Sequence, residues 1–402
     1  AGRAEIELER VPLPYETLPG KIDGLAVLDR DILTLSLSQG MYAADITEPS
    51  EPTSLGSYRK IGQAVSVTAR PDFQVCLSKK TDNCYIFVGD SHAVIHAIRL
   101  RQENSGPRAT VSAAEVAAYQ FSASRITAAE LLDNWLYVTL GEAGIALIEL
   151  AKNIDRTNFI PANFYRESFN PHPSDGKPPG YAYDLALEKV NDATFAYIAA
   201  GPRGFLILRI VPPDIIDLIP LNPNILPSEQ DVRGVDVRVA DHSYVYIGDA
   251  LNGFSIWDVS NRVEPILINP YKRCLEQEKL VSVGVSPENP NQAYAIGTAN
   301  NHFFILNLDS PYDPCGMLSP PQSIPLARPA QKLIMSRKFA LVAEGEFGME
   351  IFDLRHNPPH FYASYDLSGV LYDLCGDNNI FVSAEYSNIS IYQISDPDLD
   401  FE

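Results

Sequence analysis

VRGVDVRVADHSYVYIGDALNGFSIWDVSNRVEPILI, residues Val232–Ile268, carries four strand signals in one short stretch. VRGVDVRV alternates apolar and polar residues, the period of a strand with one face buried. Asp241-His242 supplies a turn, and SYVYIGD follows as a second strand rich in β-branched and aromatic residues. Gly253 closes the next turn, where a residue without a Cβ is free to take positive φ. FSIWDV is the third strand, and Asp258, Ser260 and Asn261 can bond local backbone groups in the loop beyond it. EPILI makes a short outer fourth strand. One such unit cannot bury both of its faces alone, so the rest of the chain must supply neighbours.

It does. Short apolar runs after a small-residue turn recur as MYAADI (Met41–Ile46), IHAIRL (Ile95–Leu100), IALIEL (Ile145–Leu150), FLILRI (Phe205–Ile210), FSIWDV (Phe254–Val259), FFILNL (Phe303–Leu308), MEIFDL (Met349–Leu354) and ISIYQI (Ile389–Ile394). Their last residues lie 54, 50, 60, 49, 49, 46 and 40 positions apart. Strands at that period predict an all-β chain folded as one eight-bladed β-propeller of four-stranded antiparallel blades, a single domain over residues 1–402. Pro follows six of the third strands, where it is tolerated because the fourth strand is an edge. The last repeat lacks a fourth strand, whereas EIELERV (Glu5–Val11) alternates near the N-terminus without a partner. An open edge on each side of that gap invites aggregation, so residues 5–11 are expected to complete the eighth blade and close the ring. Residues 153–181 read as an extended loop inserted between blades three and four, with Phe159, Phe164, Tyr165 and Phe169 available to pack on something.

The chain carries 51 acidic against 31 basic residues, a formal net charge of −20. Nucleic acid and anionic membranes are poor partners for that balance, since both are bound through clustered Lys and Arg. Solubility accounts for the charge, and a basic protein partner or cationic ligand is the sharper alternative. No run of 18 apolar residues exists to span a membrane. The chain starts at Ala1, as a processed precursor would and as a trimmed chain would too. Of five cysteines, Cys76 and Cys84 flank a polar turn, and a disulfide closing so short a loop would contribute roughly 2–3 kcal/mol. Together these features predict an exported protein, periplasmic, cell-surface or extracellular.

GDALNGFSIWDVSNRVEP, QGMYAADITEPSEP, EGEFGMEIFDLRHNPP and, less well, GPRGFLILRIVPPD share a pattern. A Gly-bearing turn leads into an apolar strand that ends in Asp and runs into a Pro-marked loop. That pattern resembles the LVIVD-repeat family of β-propellers. The resemblance implies an exported or surface-associated interaction platform rather than a reaction, and it carries no catalytic residue onto this chain.

No zincin helix, nucleophile elbow, phosphate-binding loop, Cys-x-x-Cys pair, haem-attachment motif or EF-hand loop is present. The candidate constellation is geometric instead. Turns between second and third strands should emerge on one face, opened by Gln39, Asp90, Glu142, Pro202, Asp249, Thr298, Glu344 and Glu385. Five of these are carboxylates, and Ca²⁺ is the cation an all-oxygen ring would take. Side chains leaning outward into solvent are the alternative reading, with no metal or other cofactor. Arg203 interrupts the acidic pattern and is expected to pair with Glu142 or Asp249, or to hold an anionic group. His92, His302, His356 and His360 read as surface residues, and Trp135 and Trp257 as packing residues. The expected function is therefore an exported scaffold or accessory subunit that binds a protein partner. One rival is a hydrolase or lyase using rim carboxylates such as Asp90, Glu142, Asp249, Glu344 or Glu385, and another is a module for Ca²⁺ or a small ligand.

Overall fold

Tyr85–Asp90, Ala193–Ala199 and Phe339–Ala343 are buried at every position. A strand covered on one face would alternate, so these strands are covered on both. The computed structural model describes residues 22–28, 32–37, 40–45, 53–58, 64–69, 84–102, 111–169, 178–221, 229–239, 243–268, 275, 278–285, 292–297, 299–307, 322–335, 338–365, 371–377, 380–385 and 388–393. Strands of the described residues make eight antiparallel sheets, seven with four strands and one with three, and among these residues no sheet closes on itself. Within each sheet, neighbours in sequence are neighbours in space. The chain is all-β apart from short 3-10 turns such as Glu167–Phe169 and Gly345–Phe347.

The first strands, in chain order, are Ile22–Leu28, Ala64–Ala69, Ala128–Leu132, Asp184–Val190, Val232–Val239, Leu280–Val285, Lys332–Met335 and Leu371–Asp377. Each lies against the first strand of the next sheet, and that of sheet eight lies against that of sheet one. The core consists of seams between consecutive sheets. One seam joins Phe87 and Ile95 of sheet two to Leu136 and Ile148 of sheet three; another joins Tyr197 and Phe205 of sheet four to Val245 and Trp257 of sheet five. Trp257 is buried with its ring 5.7 Å from that of Phe205, and Trp135 packs at the edge of the seam between sheets three and four. Both are packing residues, as their strand positions suggest.

The segment expected as an inserted loop is largely blade. Pro161–Tyr165 is the fourth strand of sheet three, pairing with Ile145–Glu149. Asp155 Oδ1 accepts from the amides of Thr157 and Asn158 at 2.7 and 3.2 Å and shapes the turn before it. Phe159 is buried against Phe87 at 6.0 Å between centroids, and Phe169 is buried in the seam between sheets three and four. The sequence hid this strand because Pro161 and Asn163 break its apolar alternation. Residues 170–177 lie outside the described residues, as do Glu5–Val11 and Cys76.

One buried ion pair ties sheet four to sheet five. Glu188, in the first strand of sheet four, is almost wholly buried. Arg262, in the loop after the third strand of sheet five, grips it with Nε 3.0 Å from Oε2 and Nη2 against Oε1. Tyr197 Oη donates to Oε2 at 2.6 Å and Ser243 Oγ to Oε1 at 3.0 Å. Burial alone would raise the Glu188 pKa, but these donors outweigh it and hold the carboxyl below its usual range. Arg262→Ala leaves a buried, uncompensated carboxylate and is expected to cost about 3–5 kcal/mol in urea unfolding at pH 7. A depressed carboxylate pKa stabilises the fold above the unfolded value and loses that effect as pH falls through the folded one. The gap between wild type and variant should therefore close on acidification; a gap independent of pH would assign the loss to packing alone.

Candidate functional site

Strand register decides which residues open equivalent turns. Ser36 pairs with Met41, Gly89 with Ile95, Thr139 with Ile145, Ala199 with Phe205, Gly248 with Phe254, Ile296 with Phe303, Ala343 with Met349 and Ala384 with Ile389. The next residue in each second strand is Leu37, Asp90, Leu140, Ala200, Asp249, Gly297, Glu344 or Glu385. Four of the expected carboxylates, Asp90, Asp249, Glu344 and Glu385, therefore hold equivalent positions. Glu142 and Arg203 sit two and three residues further into their turns, and Gln39 and Thr298 lie outside the described residues. The backbone places Glu385 at the turn opposite Asn388, and its side chain lies outside the described residues.

Asp90 and Asp249 are buried and hold their own turns. Asp90 Oδ1 accepts from the amides of His92 and Val94, each at 2.9 Å. Asp249 Oδ1 accepts from the amides of Asp231, Leu251 and Asn252 at 3.1, 2.8 and 3.1 Å, and its Oδ2 accepts from Asn252 Nδ2 at 3.0 Å. These are Asx-type turns, in which a carboxylate replaces backbone acceptors that a tight loop cannot supply. The amide of Asp231 belongs to the segment entering the first strand of sheet five, so Asp249 also fixes that strand's start. Glu142 is exposed and accepts from Ser124 N at 2.7 Å and Ser124 Oγ at 2.6 Å. Burial opposes its ionisation less than the Ser124 donors favour it, and its pKa is lowered. Arg203 Nη1 points at the carbonyl of Pro178, 3.5 Å away.

Six residues beyond the turn position, the third strand adds a second group that the sequence reading missed. In sheet two it is His96, whose Nε2 lies 3.3 Å from Asp90 Oδ2 and whose Nδ1 lies 2.7 Å from Glu115 Oε2. Burial pushes the Asp90 pKa up, and the His96 bond and turn amides bring it below the ordinary value. Tyr58 extends the chain beyond Glu115, its pKa raised by burial and by that carboxylate. In sheet five the equivalent residue is the buried Ser255. In sheet seven it is a carboxylate, Glu350. Both Glu344 and Glu350 are buried, Glu344 Oε1 accepts from Arg328 N at 3.1 Å, and Glu350 Oε2 is buried with no donor in reach. Burial, reinforced by Glu350, pushes the Glu344 pKa up to about 7; burial raises Glu350 as well. The signal was the pair spacing: a polar residue six positions after the turn residue, inside an otherwise apolar strand.

His92 is exposed, as expected. His356, in the loop after the third strand of sheet seven, stacks ring on ring at 4.2 Å with His360, which opens the fourth strand. Among the described residues, no group of three or more His, Cys, Asp or Glu side chains is arranged to hold a metal ion. A second cluster lies where sheets three, four and five meet on the turn-bearing side. Tyr181 and Tyr183 precede the first strand of sheet four with ring centroids 4.6 Å apart, and the Arg233 guanidinium lies 4.1 Å over Tyr183.

Residues 235–272 match the family profile described as LVIVD repeat, and this is the stretch from which the four-strand unit was read. No curated protein sequence matches the chain. Solved β-propellers do match its fold. Sqt1 of Saccharomyces cerevisiae is similar with a TM-score of 0.65 at 7% identity, covering 94% of this chain and 96% of its own. The Dos1 propeller gives 0.63 at 9%, covering 96% and 95%. BamB from Moraxella catarrhalis gives 0.60 at 10%, covering 98% of each chain. Among the described residues no helix is long and apolar enough to cross a membrane.

A carboxyl whose folded pKa is raised binds its proton more tightly in the native state, so native ionisation subtracts stability as pH rises from the unfolded value to the folded one. Glu344→Gln should match wild type near pH 4 and exceed it by up to about 3 kcal/mol at pH 8, measured by thermal or urea unfolding. A constant difference across that range would show that Glu344 does not titrate as a buried acid.

Proposed function

We propose that the chain is one closed, eight-bladed propeller over residues 1–402, an exported scaffold or accessory subunit that binds a protein partner through its turn-bearing face. The observation that carries this reading is how Asp90, Glu142 and Asp249 spend their oxygens. Each is bonded to amides or a hydroxyl of its own turn or of the segment beside it. Residues used in this way stiffen loops into a fixed surface, which lowers the ordering cost of docking. They are not left available to a substrate. Leu251 and Phe347, exposed at the turns of sheets five and seven, add apolar points to that face.

Closure is supported by the packing of the first strand of sheet eight against that of sheet one. Sheet eight has three strands among the described residues, and Glu5–Val11 has the alternation of the missing fourth. A Cys76–Cys84 bridge would be consistent with export; Cys84 is buried just before the second strand of sheet two, and Cys76 lies outside the described residues. No cofactor is assigned; the carboxylate oxygens of Asp90 and Asp249 that a ring-bound Ca²⁺ would use already accept turn amides.

The test uses a photo-cross-linking residue at Leu251 or, on an outer strand, at Phe361; both positions are about half exposed. A partner from the native source should be captured through Leu251 and not through Phe361, and the reverse would refute docking on the turn face. Deleting residues 5–11 should lower the melting temperature sharply, and an unchanged transition would refute closure by that segment.

A further inference from the structure

The turn face is not uniform, and one sector has the make-up of a binding centre. Tyr181 lies over the turn of sheet three: a Cβ at Gly141 would come 2.8 Å from its ring. Tyr183 lies over the turn of sheet four, where a Cβ at Gly201 would come 2.8 Å from its ring. Both glycines have positive φ, and both turns are bridged to the adjoining sheet, Gly141 to Ala182 and Gly201 to Val232. The two rings therefore sit on a floor built from bare backbone and stapled across three sheets. Both tyrosines are only half-buried.

Two guanidiniums flank them. Arg233 covers Tyr183, and Asp231 takes its Nε and Nη2 at 2.8 Å each, so its Nη1 is the edge that Asp231 does not use. Arg125 is exposed and close enough to Tyr181 to act on it electrostatically. The neighbouring carboxylates are turned to internal donors: Glu142 to Ser124, Asp231 to Arg233, Asp249 to its turn, and Asp184 to the amides of Leu185 and Val235 at 3.0 and 3.2 Å. Half-buried Tyr beside exposed Arg brings together the residue types that dominate binding energy in protein interfaces. What this sector offers outward is aromatic area and N–H donors, although the chain as a whole carries −20.

We propose that Tyr181, Tyr183, Arg125 and Arg233 form the centre of the docking surface and receive an acidic, aromatic-bearing segment of the partner protein. The inference rests on the scaffold reading and narrows it to one sector and one chemistry. Carboxylates of the segment would meet Arg125 and the open edge of Arg233, and its apolar side chains would stack on the tyrosine pair. A basic segment, drawn by the net charge or by the exposed Glu229, is the competing occupant.

The experiment measures fluorescence anisotropy of labelled ten-residue peptides of alternating Glu and Phe, Gln and Phe, or Lys and Phe with the full chain. Vesicles of anionic phospholipid serve as a fourth probe. The Glu–Phe peptide should bind at least tenfold more tightly than the other two peptides. Arg125→Gln and Tyr181→Ser should each weaken it fivefold or more, while Leu218→Ser, on an outer strand, leaves it unchanged. Arg125 is exposed, so its variant reads binding without disturbing the fold. Equal or tighter Lys–Phe binding, preference for vesicles, indifference to both variants, or absence of peptide binding would each overturn the proposal. A partner cross-linked through the turn face outside sheets three to five would also overturn it and leave the scaffold reading intact; capture on outer strands would remove both.

Discussion

A sheet packed on both faces has nowhere to put a polar group except inside a seam, and this constraint governs the molecule. The residue three positions before each turn residue is Phe87 in sheet two and Tyr in sheets three to six: Tyr137, Tyr197, Tyr246 and Tyr294. All five are almost completely buried. The rings fill the seams, and each tyrosine hydroxyl then needs a partner. Tyr137 Oη donates to Thr194 of the next sheet at 3.0 Å, Tyr197 to Glu188 at 2.6 Å and Tyr294 to Gln292 at 2.6 Å. From these bonds the rest follows. Glu188 can be buried because Tyr197 and Ser243 share it with Arg262, and Arg262 in turn fixes the loop that leads to the short fourth strand of sheet five.

How far this could be read from residues alone depended on whether the controlling interaction was local. Second and third strands were legible because β-branched and aromatic runs end at Gly- or Asp-bearing turns, as in SYVYIGD and FSIWDV. The turn after the third strand of sheet five was legible for the same reason, since Ser260 N donates to Asp258 Oδ1 two residues away; the Asx turns at Asp90 and Asp249 were not, and these residues read as rim carboxylates. The fourth strand of sheet three was not, because Pro161–Tyr165 is a strand through its pairing with Ile145–Glu149 and not through its own pattern. Nor was the equivalence of turn positions: counting from the end of an apolar run placed Glu142 with Asp90, whereas hydrogen-bond register places Leu140 there. Register is a property of two strands, and one strand's sequence does not contain it.

The same distinction explains why carboxylates that share a turn position need not act together as a ring. A carboxylate at a turn position can face solvent, a neighbour or its own loop, and only the loop geometry chooses. At Asp249 three amides and an amide side chain converge on one carboxylate. Charge-assisted bonds of that kind are shorter and stronger than neutral ones, so the carboxylate is far more useful to the turn than to a distant cation. Carboxylates bonded in this way hold the turns beside which the half-buried Tyr181 and Tyr183 and the exposed Arg233 lie.

Sheets two and seven show what happens when a second ionisable group enters the same register. Beside Asp90 the third strand places His96, which also meets Glu115, so an imidazole lies between two acids and can donate to each. Beside Glu344 it places Glu350, and no side-chain donor in the seam answers Glu350 Oε2. Burying two carboxylates together is tolerable only if at least one gives up its charge, which is why burial and mutual repulsion act in the same direction on Glu344. One backbone position therefore produces opposite acid–base behaviour in two sheets, decided by a single side chain on the adjoining strand. Sheet seven's turn, which follows Glu344, carries the exposed Phe347, with the Arg328 guanidinium 4.6 Å from its ring centroid. Ionising this pair puts negative charge into a buried seam, whereas the carboxylates of Asp90 and Asp249 are met by turn amides.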